Sequence, residues 1–165
     1  AQGFKDVVGI CLGTGFGSGL IINGQLHSGH NFCAGELGGI SYLSGTIDDY
    51  CSGKFFRDHY QTSGEQLAQL AQQGEAIAIQ AFNEFGVHLA HAIRYLLFVI
   101  DPQVIVIGGS VAKSYPLFIE ATWQALKTFP YPEVVKNLTI EPDKTINAAL
   151  LGAAYLCQQQ LLNNS

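Results

Sequence analysis

The chain has 165 residues, 48% of them hydrophobic and only 13% charged, with a net charge of −5. That length suits one domain with a sizeable core and leaves no room for a second full one. Eight Lys and Arg residues without a basic run argue against a nucleic-acid partner, and the most apolar segment, residues 90–100, is interrupted by His91 and Arg94, so nothing reads as a membrane span.

So low a charge content has two readings: a surface partly covered by a partner, or a compact core rich in Gly and Ala. Cys11, Cys33, Cys51 and Cys157 match neither a CxxC pair nor a disulfide framework, which points to a reducing, cytoplasmic setting. Three of them sit among apolar or small residues and read as buried free thiols. The opening AQGFKDVV is not a signal peptide. A strand begins almost at once, so the chain is expected to start inside a longer protein.

VVGICLG, residues 7–13, is a short β-branched run and predicts a buried strand. GLIING followed by QLHSG predicts a hairpin, because Asn23-Gly24 tolerates the positive φ that a tight turn needs. Residues 29–45 read as loop. A helix is expected from Thr46, with Asp49 completing a capping box, through Phe55, Phe56 and His59. Ser63 opens a second helix. The longest is expected from Glu75 to Ile100, its apolar stripe running through Ile77, Ala81, Phe85, Leu89, Ala92, Leu96 and Val99. Asp101-Pro102 stops it. VIVIGG predicts a central strand buried on both faces. A further helix follows over residues 110–129, with Pro116 near a first turn or a break. LTIEP is a last strand, and NAALLGAAYLCQQQLL a closing helix with a small-residue face.

Two glycine elements carry the chemistry. In GTGFGSG, residues 13–19, the backbone reverses between two strands, and bare glycines let N–H groups converge on an anion, with the Thr14 hydroxyl as a further donor. An ordinary Gly-rich hairpin would look the same. No GK[ST] follows, and a strand rather than a helix comes next, so neither a Walker loop nor a dinucleotide fingerprint is present. Gly108-Gly109-Ser110 lies where a strand ends and a helix is expected, a place that favours phosphate and polar groups. A hairpin nest paired with such a junction is the nucleotide grip of actin-like folds.

GTGFGSGLIINGQLHSGHNFCAGELGGI resembles the signature of the ROK family of sugar kinases and sugar-responsive repressors. IDDYCSGKFF resembles that family's LExxxSG segment, VIVIGGSVA its nucleotide-side glycines, and NAALLGAAYL its closing helix, so the resemblance covers nearly the whole chain. It implies an α/β lobe of the actin-like, ribonuclease-H-like type, a mixed sheet flanked by helices. Residues 1–165 would be the C-terminal large lobe of a glucokinase-like protein that transfers the ATP γ-phosphate to a hexose, plausibly glucose. The resemblance implies Gly13, Thr14, Gly15, Gly109 and Ser110 as nucleotide contacts, and Glu36, Asp48 and Asn31 as sugar contacts. A carboxylate can accept from two adjacent hydroxyls, which suits Glu36. Asp48 replaces the family's Glu with one methylene fewer; it reads equally as a helix-start acid facing the dipole.

Two departures qualify the resemblance. Gly39 stands where the family has a His, and CxCGxxGC is absent, so a structural zinc is not expected and sugar recognition could differ. His88 and His91, one turn apart, read as a packed or solvated pair. The family's DxGxT motif and its general-base Asp are also absent; Asp6 lacks their context, so no catalytic residue is assigned. The isolated chain is expected to be inactive, with ATP and Mg²⁺ as cofactors, the N-terminal lobe as a missing partner, and a homodimer implied by resemblance. The rival functions are the sensing lobe of a repressor and a non-catalytic sugar- or nucleotide-binding module.

Overall fold

A computed structural model describes residues 3–144. The expected closing helix and Cys157 lie outside them. β1 (Val7–Leu12), β2 (Phe16–Ile22) and β3 (Gln25–His27) form an antiparallel meander, and β6 (Val104–Gly108) and β7 (Thr139–Pro142) continue the sheet in parallel to β1. The order is β3-β2-β1-β6-β7. Register is set by facing apolar pairs, with Val8 opposite Ile105, Ile10 opposite Ile107, and Ile105 opposite Ile140. The β2–β3 turn has the predicted form: Asn23 has φ 54° and Gly24 φ 77°. Asp6 serves this hairpin, its Oδ1 accepting the Asn23 N–H at 2.8 Å.

Val8, Ile10 and Leu12 join the core, whereas Gly9 and Cys11, half a pleat away, are exposed. β1 is therefore buried on one face, and the buried-thiol expectation holds for Cys51 but not for Cys11 or Cys33. β6 is the central parallel strand, fully covered at Val104, Ile105 and Ile107 and half covered at Val106 and Gly108.

Between β3 and β6 the chain forms a 3-10 turn at Leu37–Gly39, a small hairpin of β4 (Ser41–Tyr42) and β5 (Gly45–Thr46), and four helices: α1 (Ile47–Tyr50), α2 (Gly53–Tyr60), α3 (Gly64–Gln72) and α4 (Ala76–Val99). Thr46 and Asp49 make the predicted capping box, but the expected helix stops after one turn. Ser52 restarts it, its hydroxyl accepting the Lys54 N–H. The stripe of α4 is wider than the expected one, whose Ala81, Phe85, Leu89, Ala92 and Leu96 are buried as predicted. Ala78, Phe82, Ile93 and Leu97 are buried, while Ile77 and Val99 face solvent at 62% and 77% exposure. The reason is that α4 serves two neighbours, α3 and α5, so its buried arc is wide.

After β6, a 3-10 turn at Val111–Ser114 precedes α5 (Tyr115–Leu126), so the expected helix is split, with Pro116 in the first turn of α5. A short α6 (Pro132–Asn137), unannounced in the sequence reading, leads into β7. Phe82, Phe85, Leu89 and Ile93 of α4 and Phe118 and Leu126 of α5 share one core with the sheet. Among the described residues no helix is long and apolar enough to cross a membrane.

Candidate functional site

The β1–β2 turn, Gly13-Thr14-Gly15, is held from behind by the α1–α2 corner. The Gly13 carbonyl accepts the Gly53 N–H at 2.8 Å, and the Thr14 carbonyl accepts the Ser52 hydroxyl at 3.3 Å. Within the turn the Gly13 N–H reaches the Gly15 carbonyl at 3.0 Å. The N–H groups of Thr14 and Gly15 have no partner among the described residues, and Thr14 itself is exposed. These are available donors of the kind that bind an anion.

At the end of β6, Gly109 has φ +94°, and a Cβ there would run into the Leu12 carbonyl. Only glycine lets the chain turn sharply beside β1 and deliver Ser110 next to the Gly13 turn. Gly13, Thr14 and Ser110 line one cleft of about 730 Å³ with residues of α2, α3 and the Val111–Ser114 turn. That volume is in the range of small-molecule and cofactor sites. Two of the chain's eight cations, Arg57 and Lys113, line it against one carboxylate, Glu65. Arg57 also pairs with Asp58 at 3.2 Å, so the two cations face two carboxylates, and it is their exposed donors rather than a net charge that suit a polyphosphate. The glycine turns are legible because their spacing is a signal. Arg57 and Lys113 are not, since each directly follows a quoted motif, SGKFF and VIVIGGSVA, without belonging to it.

Of the five nucleotide residues expected, three face this cleft. Gly15 lies behind it against the Asp48 carboxylate, and Gly109 supports Ser110 from below.

The sugar-side candidates lie elsewhere. Glu36 precedes the Leu37–Gly39 turn; its side chain is exposed and makes no capping bond. The segment is strapped over β2, with the Ser18 hydroxyl donating to the Gly35 carbonyl. Asn31 is exposed in the same loop. Asp48, at the start of α1, is already engaged: Oδ1 accepts the Phe16 N–H and Oδ2 accepts Lys54 Nζ. A sugar hydroxyl at Asp48 would compete with both.

Farther back, Tyr42 OH lies 3.0 Å from His88 Nδ1. Burial pushes the Tyr42 hydroxyl up to about 12 and lowers the His88 imidazole from its ordinary 6.5. Burial also pushes the Cys51 thiol up, away from nucleophile chemistry. Among the described residues no three His, Cys, Asp or Glu side chains are grouped to hold a metal.

The family model for the ROK family matches residues 1–160. The chain belongs to the ROK family. This ROK chain is 34% identical over 145 residues to an N-acetyl-D-glucosamine kinase of Photobacterium profundum, covering 72% of itself and 48% of that protein. It thus spans about half the length of the curated relatives it matches. Its fold is that of a ROK glucokinase from Streptomyces griseus solved with glucose and AMPPNP, at TM-score 0.77 and 23% identity over 86% of this chain and 56% of that one. A ROK transcriptional regulator homologous to the MLC protein of E. coli superimposes at TM-score 0.82 and 20% identity, over 90% and 44% of the two chains. The mixed sheet flanked by helices is the actin-like ATPase lobe that the glycine elements suggested.

Proposed function

We propose that this ROK chain is the C-terminal lobe of an ATP-dependent hexose kinase that acts on gluco-configured sugars, glucose and N-acetyl-D-glucosamine. The observation that carries the reading is the cleft joining Gly13 and Thr14 to Ser110 with Arg57 and Lys113 on its walls. The Thr14 amide, a hydroxyl and two cations suit the phosphates of ATP, and Mg²⁺ enters with them, since that ion is ordinarily held by phosphates and few protein groups. Glu36 and Asn31, exposed on the strapped loop, are the proposed sugar contacts. The general base that takes the proton from the attacking hydroxyl comes, in this reading, from a second lobe outside residues 1–165. The 165-residue chain alone therefore does not turn over. A cytoplasmic setting and a homodimer belong to the same proposal.

The test is ADP release from Mg·ATP by the protein as its organism makes it, across a panel of hexoses. The expected result is release that depends on glucose or N-acetyl-D-glucosamine. Absence of release with every sugar would contradict the kinase reading. A second reading, the sensing lobe of a repressor, is favoured by the likeness to the ROK regulator. It predicts a thermal shift with sugar and none with Mg·ADP.

A further inference from the structure

The α1–α2 corner grips the glycine turn at several points, and one side chain ties the grip together. Asp48 follows the first residue of α1, yet its Oδ1 accepts the N–H of Phe16, 32 residues earlier, where β2 begins. Its Oδ2 accepts Lys54 Nζ in the first turn of α2, and Lys54 also lies 3.6 Å from Asp49 Oδ1. Gly15 is packed so closely on this carboxylate that a Cβ there would come within 2.9 Å of Oδ1. The same corner supplies the Gly53 N–H to the Gly13 carbonyl and the Ser52 hydroxyl to the Thr14 carbonyl. Gly13 and Thr14 each accept one bond from this corner, Phe16 donates one to it, and Gly15 rests on Asp48. Asp48 is the charged member, and a hydrogen bond to a charged group is worth more than a neutral one.

We propose that Asp48 is a positioning residue for the nucleotide: its carboxylate fixes the Gly13–Phe16 turn so that the free amide of Thr14 meets the phosphates, and it does not contact the sugar. This assignment rests on the nucleotide reading of the cleft. The shorter side chain fits it. Asp reaches the Phe16 amide and Lys54 together, and Gly15, lacking a Cβ, lets the carboxylate lie against the turn.

The test is calorimetric titration of Mg·ADP, and separately of glucose and N-acetyl-D-glucosamine, into the protein as its organism makes it. Wild type, Asp48→Ala, Asp48→Asn and Lys54→Met are compared, with hydrogen exchange at the Phe16 amide as a second readout. D48A should raise the Kd for Mg·ADP about tenfold, the loss of one charged hydrogen bond. D48N should raise it less, because the amide oxygen still accepts from Phe16. K54M should fall between wild type and D48A. Sugar affinity should stay within about twofold throughout, and the Phe16 amide should exchange faster in D48A than in D48N. If D48A does not fold, the D48N and K54M results carry the test. A loss of sugar affinity with nucleotide binding intact would overturn the assignment and make Asp48 a sugar contact; unchanged nucleotide binding in every variant would overturn it too. Absence of Mg·ADP binding by the wild type would remove the nucleotide reading itself and this assignment with it.

Discussion

Ser52 has no exposed surface, and its hydroxyl both caps α2, accepting the Lys54 N–H at 3.2 Å, and donates to the Thr14 carbonyl at 3.3 Å. Ser52→Ala should cost about 1–2 kcal/mol, the value of a lost cap together with an unmade buried bond. Urea denaturation of the two proteins measures it. His88 acts through pH. Its folded imidazole titrates below the ordinary 6.5 because burial disfavours the charged form, and His91 is lowered for the same first reason. The folded state therefore binds fewer protons than the unfolded one in that window. Stability should be fully present above about pH 6.5 and decline as the pH falls below it toward the lowered values. In His88→Gln the difference in unfolding free energy between pH 7 and pH 5 should shrink; an unchanged difference would mean that His88 does not contribute. At this scale Gly13, Thr14 and Ser110 were legible, since glycines at strand ends are a local signal. The engagement of Asp48 was not, because its partner Phe16 is remote in sequence and presents only a backbone amide.

α4 packs tightly on α5. Gly86 is buried at the crossing; a Cβ there would collide with the Phe118 carbonyl and come within 3.0 Å of the Ala121 Cβ. The Thr122 hydroxyl bridges the two helices, donating to the Gly86 carbonyl at 3.0 Å. Gly86→Ala gains helix propensity but overpacks this crossing, and overpacking wins: a net loss of about 1–3 kcal/mol is expected in thermal or urea unfolding. The existence and type of most elements followed from periodicity and caps. The errors fell where tertiary contacts override them. One expected helix became α1 and α2 because Gly53 must donate to Gly13. Another became a 3-10 turn and α5 because Ser110 must reach the cleft before a helix can settle at Tyr115-Pro116. The stripe of α4 was right at its centre but too narrow, because a helix with two packed sides does not show one clean face.

For the whole molecule, the fold class was legible from the pairing of two glycine elements with alternating strands and helices. The cleft itself was not. Its far wall comes from the α2–α3 corner, whose sequence announces a helix cap at Ser63 and nothing more. In the proposed function the nucleotide occupies that cleft, and the smaller α4–α5 groove, about 470 Å³ around Val87 and Glu120, has no ligand. The most direct measurement is an amide-resonance titration with Mg·ADP. Residues 13–16, Arg57, Ser110 and Lys113 should shift together and saturate with one affinity, while Val87 and Gln124 stay still. Saturating shifts confined to the α4–α5 groove, or none at residues 13–16 and 110, would contradict the account.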